Sequence, residues 1–378
     1  MKKGILIIAI ISIAVLCVFI FISFNKQIKI VSPLGQVSKI KEKPLEKYAF
    51  ENLRKKNFTA GEITIGKLLE DGDGFSSYIF YYKVDGKKVS GLINLPKKEG
   101  TYPVIVMFRG FVDKKIYTIG EGTRRSAEVF AQNGFITLAP DFLGYGESDP
   151  PSNNSIEERF QTYTTALTLL SSVKNLNKGL DRQCHAEYIS ASPAPSKGEI
   201  LKQVQDDNAK VQNDDKSLCS AKVDIGKIGI WGHSNGGHIA LSTLEISGKN
   251  YPTVLWASVS KPFPYSILYF TDEFDDHGKA LRKVLADFEK DYDIEKYSSA
   301  NFYDWINAPI QLHQGTDDES VPQKWSDQLS DELKKLNKNV TYFVYPGENH
   351  NFNNGSWGVA IQRSINFYNE KFQNPLHF

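Results

Sequence analysis

The run Gly-His-Ser-Asn-Gly at positions 232–236 is the part of this sequence with the clearest chemical potential. A short apolar run, residues 228–231, precedes it, and an apolar run typical of a helix, residues 239–246, follows it. A serine on a sharp turn between a strand and a helix exposes its hydroxyl for attack on a carbonyl group. Ser234 is therefore the candidate nucleophile.

A candidate acid and a candidate base follow Ser234 in the chain. Asp317 and Asp318 lie in the run of residues 313–322, which follows the apolar run of residues 309–312, and His350 follows the apolar run of residues 340–345. Loops at the carboxyl ends of parallel strands gather at one edge of a sheet, where a carboxylate can orient a histidine and the histidine can take the proton of a serine. From the residues alone, either aspartate fits the acid position.

Acyl transfer also needs donors for the oxyanion that forms on the attacked carbonyl. We expect one to be the backbone N–H of Asn235, directly after the nucleophile, and the other that of Phe111, in the loop after the apolar run of residues 103–108. Gly232 and Gly236 supply the small residues that a strained elbow requires on both sides of the serine.

Strand and helix patterns alternate along the chain and define the fold class. Residues 78–95 alternate apolar and polar side chains around Asp85-Gly86, which predicts an antiparallel hairpin. Helical patterns occupy residues 123–133, residues 281–288 and residues 357–372. The short apolar runs between the helices suit strands buried on both faces: residues 103–108, 135–139, 228–231, 253–257, 309–312 and 340–345. This order predicts an α/β protein with a doubly wound, mostly parallel sheet.

The amino terminus predicts a membrane anchor. Residues 4–24 carry no charge and are long enough, at about 1.5 Å per residue, to cross the roughly 30 Å hydrocarbon core of a bilayer. We therefore divide the chain into a transmembrane anchor (1–25), a Lys-rich linker (26–47) and a catalytic domain (48–378). We expect a single-pass membrane protein whose catalytic domain lies outside the cytoplasm.

One stretch interrupts the catalytic domain, at about residues 178–221. It is rich in Pro, Ser and polar residues, and it separates a predicted helix from the strand before Ser234, a connection that usually needs only a few residues. We interpret it as a tolerated surface insertion, and a lid over the site is the alternative. Cys184 and Cys219 could pair and close it.

Composition excludes several classes of protein. Lys+Arg 45 against Asp+Glu 44 gives a net charge of +1, so nothing in the charge indicates a nucleic-acid partner. With three cysteines and no Cys/His cluster, the sequence offers no metal site. We expect no cofactor.

The chain resembles the α/β-hydrolase superfamily and, within it, the catalytic domain of the prolyl-oligopeptidase-type (S9) serine peptidases. The motif at residues 232–236, the run Asp-Phe-Leu-Gly-Tyr-Gly-Glu-Ser at residues 141–148 and the run His-Gln-Gly-Thr-Asp-Asp-Glu-Ser-Val-Pro at residues 313–322 carry the resemblance. The family pattern sets the catalytic acid three residues before a Val-Pro pair, which implies Asp318. Two departures are the Arg-Gly-Phe run at residues 109–111, in place of the family's usual oxyanion loop, and the missing β-propeller.

The resemblance implies a serine hydrolase with a Ser234-His350-Asp318 triad and an acyl-enzyme intermediate, and the predicted anchor would attach this enzyme to a membrane. Peptides are the leading substrate class, and the alternative is a carboxylesterase acting on small esters. A catalytically inactive hydrolase fold that serves as a binding module is an alternative of another class. Four acidic residues in the excursion after the strand of residues 253–257 could receive the free amine of a peptide or simply begin the next helix: Asp272, Glu273, Asp275 and Asp276.

Overall fold

Nine strands form one mixed sheet in this protein, described here from a computed structural model of residues 42–191, 217–271 and 274–373. The strands are β1 (Thr64–Asp71), β2 (Phe75–Val84), β3 (Lys87–Pro96), β4 (Gly100–Phe108), β5 (Ile136–Pro140), β6 (Ala221–His233), β7 (Thr253–Trp256), β8 (Ile310–Gly315) and β9 (Val340–Tyr345). Their order across the sheet is β1-β2-β3-β5-β4-β6-β7-β8-β9.

The sheet changes from antiparallel to parallel pairing at β5. The pairs β1–β2, β2–β3 and β3–β5 are antiparallel. The pairs from β5–β4 across the sheet to β8–β9 are parallel. The hairpin turn lies where the sequence predicts it, with Asp85 at φ 47° and Gly86 at φ 84°. The mostly parallel part of the fold is therefore confirmed, together with an antiparallel start.

Helices cover both faces of this sheet. They are α1 (Phe50–Lys55), α2 (Arg124–Gln132), α3 (Ser155–Ser172), α4 (Leu176–Ala191), α5 (Ser217–Ser220), α6 (Asn235–Ser247), α7 (Tyr265–Leu268), α8 (Lys279–Glu289), α9 (Gln323–Lys335) and α10 (Trp357–Gln373). Gly134 has φ 84° just beyond α2, which is the conformation expected of a glycine that ends a helix.

The core lies in two layers, one on each face of the sheet, and β4 shows how one strand serves both. Val104, Val106 and Phe108 pack on the face covered by α3, α6 and α9, whereas Ile105 and Met107 pack on the face covered by α2 and α10. Successive side chains of a strand point to opposite faces. A strand buried on both sides therefore reads as a continuous apolar run, as this one does.

Some element bounds differ from the sequence prediction. β6 begins at Ala221, seven residues before the predicted run at 228, because it pairs with β4 along nearly its whole length. Nothing in the sequence pattern predicted β1. On α8, Leu285 and Phe288 are buried as expected, but Val284 is 37% exposed and does not belong to the buried face.

The packed unit begins at Leu45, whose backbone N–H donates to the hydroxyl of Tyr292 at 3.1 Å. The predicted anchor at residues 4–24 lies outside the described residues. Within residues 42–191, 217–271 and 274–373, no helix is long and apolar enough to cross a membrane.

Both ends of the predicted insertion take part in the core. Leu180 on α4 and Leu218 on α5 are fully buried, so these positions contribute to packing and are not surplus. Cys184 and Cys219 form a disulfide with their Cα atoms 5.4 Å apart. The central part of the predicted insertion, residues 192–216, lies outside the described residues.

Candidate active site

Ser234 occupies the turn between β6 and α6 in a strained backbone conformation, φ 56° and ψ −121°. The two glycines beside it are needed for space. A Cβ on Gly232 would lie 2.6 Å from the carbonyl oxygen of Gly236, and a Cβ on Gly236 would overlap the carbonyl oxygen of Phe108. The strand-turn-helix geometry predicted from the motif is therefore present, and it turns Ser234 out at the carboxyl end of β6.

Asp318, in the loop after β8, is held by a local set of hydrogen bonds. Its Oδ1 accepts the backbone N–H groups of Ser320 at 2.9 Å and Val321 at 2.7 Å, and its Oδ2 accepts the side-chain amide of Gln314 at 2.9 Å. Burial opposes ionisation of this carboxyl, but the hydrogen bond and charge of His350, with the N–H of Val321, hold its pKa below the ordinary value. Asp318 therefore stays a carboxylate under neutral and mildly acidic conditions.

His350 lies against Asp318. Its Nδ1 is 3.0 Å from each carboxylate oxygen, and the side chain of Asp318 is fully buried beneath the ring. Asp317 instead is exposed and accepts the hydroxyl of Thr316 at 2.8 Å. The structure thus brings Asp318 to the histidine and leaves Asp317 at the surface.

Contacts between neighbouring loops bring Ser234 and His350 into one region. The ring of His233, the residue before Ser234, lies 4.6 Å from the ring of His350, and its Nε2 donates to the backbone oxygen of His350 at 3.0 Å. Burial, together with the neighbouring His350, lowers the pKa of His233 to about 4. His233 is therefore a neutral packing residue at the site.

The two expected oxyanion donors belong to segments next to Ser234. Asn235 is the first residue of α6, and the first N–H groups of a helix have no carbonyl partner within the helix. Phe111 follows Gly110, where an added Cβ would lie 3.0 Å from the Cβ of Ser234. The loop that carries Phe111 N–H thus touches the serine directly, while the Phe111 side chain is 80% exposed.

Arg109 has a part in this site that the sequence did not reveal. Its guanidinium is buried, stacks 4.0 Å from the centre of the Tyr145 ring, and donates to the carbonyl oxygens of Gly110 at 2.9 Å and Asp141 at 3.1 Å. The C=O of Gly110 and the N–H of Phe111 belong to one planar peptide unit. The hydrogen bond to Gly110 therefore fixes the direction of the Phe111 N–H.

Two further histidines are buried and structural. Burial lowers the pKa of His238 and that of His313 to about 3, so both rings are neutral. His238 pairs with the hydroxyl of Tyr163 at 2.8 Å, and His313 with that of Tyr345 at 2.7 Å. Among the residues that the structure describes, no group of three or more His, Cys, Asp or Glu side chains could hold a metal ion.

The acidic stretch before α8 is explained in part by the start of that helix. The carboxylate of Asp276 accepts the N–H groups of Gly278 at 2.9 Å and Ala280 at 2.8 Å. This is the helix-starting role that the sequence left open beside an amine pocket. Asp272 and Glu273 lie outside the described residues.

Comparison with known proteins agrees with the resemblance carried by the motifs. A sequence model described as the prolyl oligopeptidase family matches residues 217–375, the part of the chain that includes β6, Ser234, Asp318 and His350. The predicted resemblance to the S9 family is confirmed over this range.

Two curated relatives are peptidases by name. The chain is 23% identical to the uncharacterized peptidase YtmA of Bacillus subtilis (strain 168) over 279 residues, which are 73% of this chain and 86% of that protein. It is 28% identical to dipeptidyl peptidase family member 6 of Caenorhabditis elegans over 132 residues, which are 33% of this chain and 17% of that protein.

Solved structures establish the fold. An acetyl xylan esterase from Paenibacillus sp. R4 superposes with a TM-score of 0.51 at 15% sequence identity, over 87% of this chain and 96% of that chain. At this identity the likeness concerns the fold alone, a mixed sheet with helices of the α/β-hydrolase type.

Proposed function

We propose that this relative of the prolyl oligopeptidase family is a serine hydrolase that cleaves peptide bonds through a Ser234-His350-Asp318 triad. The hydrogen bond between His350 Nδ1 and the carboxylate of Asp318 carries the proposal most directly. A buried carboxylate in that position keeps Nδ1 protonated, and the imidazole then uses Nε2 to accept a proton.

The reaction proceeds in two stages. The Oγ of Ser234 attacks the carbonyl carbon while His350 takes its proton, and the N–H groups of Phe111 and Asn235 stabilise the oxyanion. His350 then gives the proton to the leaving group, which departs and leaves an acyl-enzyme on Ser234. A water molecule, deprotonated by His350, attacks the ester; His350 then returns the proton to the Oγ of Ser234 as the bond to the acyl group breaks and the acid is released.

Fluorophosphonate labelling tests whether Ser234 is the nucleophile. We expect one adduct per chain on Ser234 in the folded protein and none in Ser234→Ala. Ser247→Ala, at the carboxyl end of the same helix, is the matched control and should label as the parent does. A folded parent that takes no label would support the inactive binding module instead.

A substrate panel separates peptides from esters. It contains fluorogenic peptides with free and with blocked amino ends, beside short-chain aryl esters. The two curated relatives favour peptides, and the same residues can cleave both bonds. A higher kcat/KM for every ester than for every peptide would favour the carboxylesterase.

The pH dependence of hydrolysis tests the role of His350. Hydrolysis should be slower in acid than at neutral pH, because only a neutral histidine ring can act as base. A rate that does not fall in acid would contradict a histidine base.

We also propose that residues 4–24 anchor the protein in a bilayer, with the catalytic domain outside the cytoplasm. The uncharged length of this run supports the proposal. The full chain should stay with membranes after an alkaline carbonate wash, and a variant without residues 1–41 should not. Release of both proteins by the wash would contradict the anchor.

A further inference from the structure

A cavity of about 220 Å³ lies next to the residues that carry the two expected oxyanion donors. Phe111 and Asn235 contribute to its wall, and the first half of α3 forms much of the rest. A group held in this cavity would therefore sit next to a carbonyl attacked by Ser234.

Arg159 on α3 is the distinctive residue of the cavity wall. Its Nε and Nη2 atoms are shielded from solvent, and no described residue forms a hydrogen bond with either of them. The polar neighbour of the guanidinium is the hydroxyl of Tyr163, which also pairs with the neutral ring of His238 at 2.8 Å. An unpaired guanidinium edge away from water is unfavourable, because its donors have lost water without gaining a partner.

The chemistry of this edge indicates the missing partner. Nε and Nη2 lie on the same side of the guanidinium and match the two oxygens of a carboxylate, which forms the strong bidentate pair that arginine prefers. Glu158 also lines the cavity, but its carboxylate pairs with Lys114 at 2.8 Å. The guanidinium of Arg109, at another part of the wall, is occupied by two carbonyl oxygens.

We propose that this cavity, lined by Arg159, Tyr163, Phe111 and Asn235, binds a carboxylate of the substrate close to the bond that is cleaved. This deepens the proposed function, on which it rests, by naming the substrate class as peptides or esters that carry a carboxylate near the reacting carbonyl. The guanidinium of Arg159 turns its Nε and Nη2 edge toward the carboxylate and donates hydrogen bonds to it, and no covalent step is involved.

Direct binding tests the cavity without any turnover. Glutarate and its uncharged counterpart glutaramide are titrated calorimetrically into the parent protein, Arg159→Gln and Arg159→Lys. We expect the parent to bind glutarate more tightly than glutaramide, and Arg159→Gln to bind glutarate about ten- to a hundredfold more weakly than the parent. Arg159→Lys should have an intermediate affinity for glutarate, because it keeps the positive charge but loses the planar guanidinium that donates two parallel hydrogen bonds. Arg182→Gln, an exposed arginine paired with Glu62, is the matched control and should bind as the parent does.

Hydrolysis provides the second readout. The parent should cleave the 4-methylumbelliferyl half-ester of glutaric acid with a higher kcat/KM than the corresponding carboxamide, and Arg159→Gln should lose this preference mainly through KM. Should Arg159→Gln not fold, Arg159→Lys decides by the same comparison.

Equal binding of glutarate and glutaramide by the parent, or unchanged glutarate binding by the folded variants, would overturn the carboxylate site. Fluorophosphonate labelling of Ser234 does not depend on Arg159. A labelled protein without glutarate preference would therefore contradict this inference alone, whereas an unlabelled protein would contradict the proposed function.

Discussion

The two loops beside Ser234 are held in place by different means. In the acid loop, residues 314–321, the carboxylate of Asp318 is held from within the loop, since it accepts hydrogen bonds from Ser320, Val321 and Gln314. The oxyanion loop, residues 109–111, is instead tied to a distant segment by the guanidinium of its own Arg109, which reaches the backbone of Asp141, 32 residues further along the chain.

The difference teaches where each part of the site is encoded. Hydrogen bonds between a carboxylate and N–H groups two or three residues later form within a single turn, so a short sequence specifies them. A side chain that bonds a distant segment works only after both segments have folded. The acid loop should therefore tolerate changes elsewhere in the domain better than the oxyanion loop does.

The largest expected effect concerns the two aspartates of the acid loop. Asp318→Asn should lower kcat by about 10⁴, because an amide no longer holds His350 in the tautomer that accepts a proton. Asp317→Asn is the matched control and should change kcat little, since Asp317 is exposed and contacts Thr316. Steady-state kinetics of both variants checks this, and the opposite ranking would assign the acid to Asp317.

The next effect concerns the oxyanion loop. Arg109→Met frees the carbonyl of Gly110 and should lower kcat by about 10² to 10³, the cost of losing one oriented oxyanion donor, with KM and the pH profile unchanged. Lys115→Met, an exposed change six residues along the same segment, is the control.

Arg109→Lys should restore only part of the activity, because an ammonium group cannot bond both carbonyl oxygens as the planar guanidinium does. If Arg109→Met matched the parent in kcat, the oxyanion loop would hold its shape without the guanidinium. The contrast between the two loops would then disappear.

A smaller effect concerns the pH dependence of stability and comes from the residue that leads into the acid loop. His313 lies on β8, directly before the acid loop, and burial lowers its pKa to about 3. Between about pH 6.5 and pH 3 the unfolded chain binds a proton at this histidine that the folded chain does not bind. The free energy of unfolding therefore falls as pH falls, and this group contributes at most about 1.4 kcal/mol per pH unit to the decline.

His313→Asn should therefore lower the melting temperature at pH 7 but flatten its decline between about pH 6.5 and pH 4, as scanning calorimetry can measure. His185→Asn, on the exposed side of α4, is the control and should leave the slope unchanged. A slope that stays as steep in His313→Asn would mean that other groups carry the acid sensitivity.

The smallest effect is expected from removing part of the predicted insertion, which should change neither the acid loop nor the oxyanion loop. Replacing residues 192–216 with a short Gly/Ser linker should leave kcat/KM within a few-fold, since loop closure entropy changes slowly with length. The segment that can be replaced is shorter than the predicted insertion at about residues 178–221, because Leu180 and Leu218 are buried. Loss of activity on every substrate in a truncated protein that stays folded would indicate a lid.

The sequence by itself determined the fold class and the positions of Ser234 and His350, and it limited the acid to Asp317 or Asp318, of which the family pattern implied Asp318. Each of these residues lies in a motif a few residues long, directly after an apolar run that forms a parallel strand. The carboxyl ends of such strands lie at one edge of a sheet, so the order of elements already places their loops together. β1 and the early start of β6 were missed, since pairing with a neighbour extends a strand beyond its apolar run.

Only the tertiary structure decided what surrounds Arg109 and Arg159. In the sequence, one is a departure from a family motif and the other an ordinary charge on a helix. Arg109 is defined by Gly110, Asp141 and Tyr145, and Arg159 by a cavity between α3 and the first turn of α6. The directions of these side chains follow from how separate segments pack. The spacing of residues along one segment does not predict that packing.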